Sequence, residues 1–259
     1  MDIERFNKIL QSLNGLGIKE GGFFVQEEES GEMVTSVGGM SEDHYVGLHT
    51  VIDDIGLDHS MGVLSVLSVL NRLALFDLEK VGCEFNESES HYTSIKLKEG
   101  RRKALINTTD PTQLRIPSQM MTGDLAVGFT LAKEYVDYMS KAIASIRRVP
   151  GAEGTEIRFA SDDGESVMMT ISGGGDDFSE PLDSEETVIP AKMEVAFEAE
   201  GIQRTLKEAI KASENGECSL ILDADGNAHI EVGELEAIVI PVSSQFVPLD
   251  EDEEVTDAA

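Results

Sequence analysis

Cations are scarce in this chain: 20 Lys and Arg stand against 50 Asp and Glu, a formal net charge of -30 over 259 residues. A field of that sign opposes nucleic acid and anionic membranes unless the few cations are gathered on one surface, so their distribution decides more than their number. Cysteine is scarcer still. Cys83 and Cys218 each sit in an apolar, strand-like run, far apart and without metal-site spacing, and read as buried, reduced thiols. Long hydrophobic runs are missing too. The longest, residues 61–76, is interrupted by Ser65, Ser68, Asn71 and Arg72, and the N-terminal segment has no signal-peptide character, so a soluble, cytoplasmic protein is expected. Catalytic motifs are also lacking. His44, His49, His59, His91 and His229 form no His-x-x-x-His pair, and there is no nucleophile elbow or P-loop. Gly38-Gly39 and the glycines at 173–175 do not lead into a helix with a following lysine, so a phosphate cradle is not expected. The residues argue against an enzyme, and no cofactor or metal is expected.

What is present is enough apolar material, 41% of residues, to build one large or two ordinary domains. Ile3, Phe6, Leu10 and Leu13 follow helical spacing and Asn14-Gly15 supplies a stop, which predicts a helix over 3–14. Residues 21–26 and 33–37 read as strands around an acidic turn, with a third at 45–52. A second helix is expected over 60–72, capped by Asp58 or Ser60. Short β-like runs follow at 73–78, 81–85, 92–97 and 102–106. Residues 107–123 carry two prolines and no clear period, and read as a linker.

Beyond the linker, a strand at 125–130 precedes an amphipathic helix over 131–148. At 100° per residue, Leu131, Tyr135, Met139, Ala142 and Ile146 share one side, with Lys133, Lys141 and Arg148 on the other, Asp137 among them. Strands are expected at 155–160, 166–172 and 188–198, with an acidic glycine-rich loop at 173–186. A fourth helix follows, carrying Ile202, Leu206, Ala209 and Ile210 opposite Arg204, Lys207 and Lys211. A meander at 218–222, 228–232 and 236–240 ends the pattern, and the chain from 249 reads as an acidic, disordered tail.

The chain thus reads as four units of helix plus antiparallel strands, beginning near residues 1, 57, 124 and 190. A lone unit would leave apolar faces exposed, so the units are expected to pair, two to a domain. The four predicted helices carry ten cations (Arg5, Lys8, Arg72, Lys133, Lys141, Arg147, Arg148, Arg204, Lys207, Lys211) and five acids (Glu4, Glu134, Asp137, Glu200, Glu208). They are therefore net +5, and the rest of the chain is -35. Repetition on four helices favours one shared electropositive surface over four unrelated wet faces.

Two acidic constellations compete for attention. Asp223-Ala-Asp-Gly-Asn227, with Glu234 at the twelfth position, resembles a calcium loop, but Ala228 stands where that loop needs glycine and a hairpin turn explains it better. Asp53-Asp54 and Asp162-Asp163 are paired carboxylates of a kind expected by chance in so acidic a chain.

Three stretches then carry a family resemblance. Met61-Gly-Val-Leu-Ser-Val-Leu resembles the second helix of phage clamps, and Lys103-Ala-Leu-Ile-Asn-Thr-Thr-Asp-Pro-Thr resembles the strand that enters the family's connector. Leu235-Glu-Ala-Ile-Val-Ile-Pro241, before an acidic tail, is similar to the ending of cellular clamps of the proliferating-cell-antigen type. In this order they resemble a DNA polymerase sliding clamp, most of all those of T-even-type bacteriophages. The resemblance implies an α+β DNA-clamp fold with two domains, each of two helices on antiparallel sheets: 1–106, a connector at 107–123, 124–248, and the tail at 249–259. It implies a homotrimeric ring around duplex DNA that tethers a polymerase and is opened by a clamp loader. Arg5, Lys8, Arg72, Lys133, Lys141, Arg148, Arg204, Lys207 and Lys211 would then face DNA. Leu114, Ile116, Pro117, Ile240 and Pro241 would match the pocket that takes partner peptides. Two other classes remain compatible with the residues: an acidic protein-interaction module without DNA, and a metal-dependent hydrolase.

Overall fold

Helix α1 (Ile3–Gly15) starts where Asp2 accepts a hydrogen bond from the Arg5 amide at 3.0 Å, and it buries Ile3, Phe6, Ile9, Leu10 and Leu13. This is a side-chain cap followed by an apolar stripe at helical spacing. A computed structural model describes residues 1–27, 31, 33–114, 116, 123–146, 154–161, 166–182 and 191–248. After α1 come strands β1 (Ile18–Glu27), β2 (Met33–Ser41) and β3 (Val46–Ile52). Strand β4 (Met61–Val63) leads into α2 (Val66–Leu73), followed by β5 (Gly82–Glu87), β6 (Tyr92–Glu99) and β7 (Arg102–Asn107). A single 3-10 turn, Pro111–Gln113, lies in the connector.

The second half repeats the order. Strand β8 (Leu125–Ala132) precedes α3 (Lys133–Ile146), then β9 (Glu156–Ser161), β10 (Val167–Gly173) and β11 (Asp176–Leu182). Strand β12 (Ala191–Glu198) precedes α4 (Ala199–Ala212), then β13 (Glu217–Asp223), β14 (Ala228–Val232) and β15 (Leu235–Val239), with β16 (Ser243–Pro248) last. The named strands pair antiparallel throughout. The α+β class expected from the sequence is what the chain adopts.

Several expectations are corrected. The second helix starts at Val66, not near residue 60, because Ser65 is the cap: its hydroxyl accepts from the Ser68 amide at 3.3 Å. Neither Asp58 nor Ser60 caps it, and Met61–Val63 is a strand paired with β1. Residues 73–78 are the helix end and a turn rather than a strand. The 173–186 loop contains β11, folded onto β10 through Gly174 and Gly175, both with positive φ. Acidic composition had masked an alternating strand. Strand β16, not expected from the sequence, pairs with β12. In α3, which begins at Lys133, the buried residues are Val136, Met139, Ile143 and Ile146, with Tyr135 and Ala142 half-buried at the margin of that face.

One sheet of eight strands runs β4-β1-β2-β3-β15-β14-β13-β8, joined at its centre where Val46 and Gly47 of β3 face Val239 and Ile238 of β15. Two smaller sheets run β11-β10-β9-β12-β16 and β5-β6-β7. Helix α2 packs on α1, α1 on α4, and α4 on α3, giving a continuous helical layer in that order. Between layers lie aromatic contacts such as Phe6–Phe23 (5.1 Å between ring centroids) and the row Phe129–Phe159–Phe197. Among the described residues no helix is long and apolar enough to cross a membrane.

Phe159 is buried between two other rings, so Phe159→Ala is expected to cost about 3–5 kcal/mol. Leu75→Ala, at a side chain 63% exposed, should stay within ~0.5 kcal/mol of the parent. Denaturant midpoints of the two variants check both.

Candidate nucleic-acid interface

The helical layer gathers the basic residues, but two guanidinium groups have other work. Arg5 of α1 is bound through Nε (2.8 Å) and Nη2 to the carboxylate of Glu234, in the β14–β15 turn, and lies 3.7 Å from Asp53. Arg204 of α4 donates from Nη2 to Asp43, in the β2–β3 turn, at 3.0 Å. The two contacts are reciprocal: each central helix reaches across to a hairpin turn of the other half. The hydrogen bond to Glu234 raises Arg5 above its ordinary value. Burial works against Asp43, but bonds from Ser41 and the Tyr45 amide, with the charge of Arg204, bring it below the usual range. Arg5 and Arg204, expected to face phosphate, are thus tied to carboxylates across the seam between halves. Turn acids 161 and 229 residues away in sequence are close only once the halves have joined.

Arg72 is also engaged, donating from Nη1 to the Leu105 carbonyl of β7 at 2.9 Å. Exposed ammonium groups remain on Lys8, Lys133, Lys141, Lys207 and Lys211. Lys133, Lys207 and Lys211 come together around a cleft of about 570 Å³ between α3 and α4, which Asp137 and Glu214 also line. Lys8 and Lys211 share a second concavity of about 320 Å³ between α1 and α4, with Glu208 and Glu234. Glu208 lies 3.1 Å from Lys211 and moderates it. Among the described residues of the four helices, the exposed cations are thus lysine ammonium groups, point charges without a bidentate fork. Arg148 lies outside the described residues.

Of the residues expected at the partner pocket, Leu114, Ile116, Ile240 and Pro241 are described. Leu114 is buried against Gly62 and Thr109, and Ile116 is half-buried over Gly22 and Gly38, which face each other across β1 and β2. A Cβ on either glycine would run into Ile116 and Phe24. The paired glycines therefore make a notch for the connector, a signal that Gly21-Gly22 and Gly38-Gly39 carried in sequence but that only the strand register explains. Ile240 and Pro241, both half-buried, follow β15, with the Ile240 amide donating to the Tyr45 carbonyl at 2.8 Å. Pro117 lies outside the described residues.

A second cluster escaped the sequence. Asp223, fully buried, accepts from the amides of Gly123, Asp225 and Asn227, from Asn227 Nδ2, and from His229 Nε2 at 3.1 Å. His229 Nδ1 lies 2.7 Å from Glu236. A carboxylate at each ring nitrogen favours the protonated imidazole. Burial alone would lower His229, but Glu236 and Asp223 outweigh it and raise the pKa above the ordinary 6.5. Burial alone would raise Asp223, but its donors bring it below 3.8. The cluster pins Gly123, where the connector rejoins the sheet. It also decides the calcium-like loop: Asp223 is saturated by its own turn, and Glu234 belongs to Arg5. Among the described residues no group of three or more His, Cys, Asp or Glu side chains is arranged to hold a metal ion.

The pH dependence follows from these two shifts. The His229 contribution is complete below about pH 6.5 and fades as pH rises through the raised value. That of Asp223 is complete above about pH 3.8 and fades as pH falls through the lowered one. His229→Gln is expected to lose about 1.5–3 kcal/mol at pH 6 and to flatten the alkaline limb, as measured by denaturant unfolding from pH 5 to 9.

No protein-family model matches the chain, and no curated protein sequence does either. Solved structures do. PCNA from A. fulgidus, bound to the C-terminal region of FEN-1, superposes with a TM-score of 0.61 at 14% identity, covering 95% of this chain and 98% of that one. A DnaN sliding clamp (DNA polymerase III subunit beta) from Pseudomonas aeruginosa gives 0.62 at 14% identity, and a putative DNA polymerase III beta subunit from Eubacterium rectale gives 0.63 at 12%. These cover 95% and 94% of this chain, but only 64% of each of those chains is matched. At such identities the likeness is one of fold, and the fold is that of the sliding clamps.

Proposed function

We propose that this chain is a sliding clamp: a non-enzymatic ring that encircles duplex DNA and tethers a replicative polymerase. The observation that carries the reading is the four-helix layer with exposed Lys8, Lys133, Lys141, Lys207 and Lys211 on a chain of net charge -30. Lysine ammonium groups on one face meet phosphate through point charges and water, while the acidic remainder repels DNA elsewhere. Affinity is then low, independent of sequence and steeply dependent on salt, as sliding requires.

A ring needs a head-to-tail contact, and two open sheet edges supply candidates. Strand β7 ends the β5-β6-β7 sheet and β11 ends the five-stranded one. Near β7 stand exposed Arg101, Arg102 and Lys103, with Leu105 and Leu67 uncovered; β11 carries exposed Asp176 and Asp177, beside Tyr138 packed on Phe178 at 5.6 Å. One edge is basic and the other acidic, each with apolar side chains beside it. Their pairing between copies is heterologous and forms a ring when the rotation per subunit closes; the resemblance to clamps implies a homotrimer. A clamp loader would open it. Polymerase and loader peptides would dock beside the connector, at Leu114, Ile116 and Pro117, and near Ile240 and Pro241. The motifs resemble those of T-even-type phage clamps, and a phage clamp would act in a bacterial host's cytoplasm.

Reversing Lys133, Lys141 and Lys207 to Glu should leave the oligomer intact and abolish stimulation of polymerase run length on primed circular DNA. Unchanged processivity would refute the DNA-facing assignment, and would favour an acidic interaction module. For the edges, R102E/K103E is expected to give a monomer by light scattering, and adding D176K/D177K to restore the assembly. A monomeric parent protein at all concentrations would overturn the ring.

A further inference from the structure

Each half contributes two meanders, and the third strands of the four are β3, β7, β11 and β15. Strands β3 and β15 pair with one another at the seam, whereas among the described residues β7 and β11 end their sheets. The edge of β7 is not bare. In an antiparallel ladder alternate residues turn their amide and carbonyl groups toward the neighbouring strand. The Thr108 amide donates to the Thr93 carbonyl at 3.0 Å, so with Ile106 opposite Ile95 and Ala104 opposite Leu97 the even residues face β6. The odd ones face outward. The Thr109 amide donates to the Gly62 carbonyl of β4 at 3.0 Å, and beyond that bridge Lys103, Leu105 and Asn107 present the open edge. Its central acceptor, the Leu105 carbonyl, is taken by Arg72 Nη1 at 2.9 Å. The hold is light: Arg5 and Arg204 are bound to carboxylates, but Arg72 gives a single nitrogen to a neutral oxygen. It is also particular to this edge. The four helices bury residues at the same i, i+3, i+7 spacing, ending on Leu13, Leu73, Ile143 and Ala209. The residue before each of these is Ser12, Arg72, Ala142 or Glu208, so a guanidinium stands at the matched position only beside β7.

We infer that Arg72 is a displaceable cap on the assembly edge. In a free subunit it blocks β7 at Leu105. In the ring, strand β11 of the next copy takes that carbonyl, and the released guanidinium turns back to the helical layer, adding a cation to the face that meets DNA. The inference rests on the ring reading and adds to it that closing the ring changes its lining. An open edge invites indiscriminate strand pairing, and a cap of one hydrogen bond opposes it. A strand that spans the edge replaces that one bond with a row, to the outward groups of Lys103, Leu105 and Asn107, and covers Leu67 and Leu105, each more than half exposed. Displacement therefore favours a partner that fits the whole edge over one that touches it at a point.

The test uses the full chain. Light scattering over a dilution series gives the concentration at which the parent assembles, and Arg72→Ala should assemble at about tenfold lower concentration, because one charge-assisted hydrogen bond no longer has to be displaced. By charge alone, losing a cation beside a basic edge would weaken pairing with acidic β11, so the direction of the shift identifies the cap. Arg101→Ala, which removes an exposed cation from the turn before β7, is the control and should not tighten assembly. Phenylglyoxal modification, read residue by residue by mass spectrometry, should find Arg72 several-fold more reactive in the parent's assembly than in its monomer. If the parent assembles but R72A assembles no more tightly, or Arg72 is no more reactive in the assembly, the inference fails and the ring stands. Monomers of both parent and R72A at every concentration would overturn the ring reading and this inference with it.

Discussion

The join between the halves is the constraint on which the rest depends. At its centre, β3 and β15 pair over only Val46↔Val239 and Gly47↔Ile238. So short a ladder needs lateral support, and it has three kinds. Thr50 Oγ1 of β3 bonds both the carbonyl and the amide of Glu236. Helices α1 and α4 pack together above the ladder. Arg5 and Arg204 each cross the seam to a turn carboxylate. Ion pairs as partly shielded as these contribute more to geometry than to net stability. Their effect is to tie each central helix to a turn of the other half.

That use of arginine explains the character of the remaining surface. Arg5 and Arg204 are occupied at the seam, and among the described residues of the four helices the exposed cations are lysines. A lysine surface interrupted by Asp137, Glu208 and Glu214 is electropositive but shallow. In a chain so acidic elsewhere, the contrast between faces matters more than the strength of either one.

The Asp223–His229–Glu236 cluster and the Gly22–Gly38 notch act on the connector at two points, its end at Gly123 and its middle at Ile116. One saturates the amide of Gly123; the other seats Ile116 against the sheet. Both are set on strands already fixed by the core, so the connector is held by preformed geometry at both points.

Composition and periodicity by themselves determined most of the elements of this fold. Apolar spacing in α1 and α4, alternation in the meanders, and breakers at 107–123 are local signals, and the excess of cations on the helices is a count that needs no coordinates. The same local reading failed where capping competed with periodicity, as at Ser65, and where acidic side chains hid alternation, as in β11. Which cations are free was beyond it. Arg5 and Arg204 look like Lys8 and Lys207 along a helical wheel, and they differ only because folding brings Glu234 and Asp43 within reach. His229, Asp223 and Glu236 likewise meet because strand register aligns one face of β13, β14 and β15. Periodicity is written residue by residue, whereas pairing partners are chosen by the join of two halves, and that choice belongs to the tertiary structure.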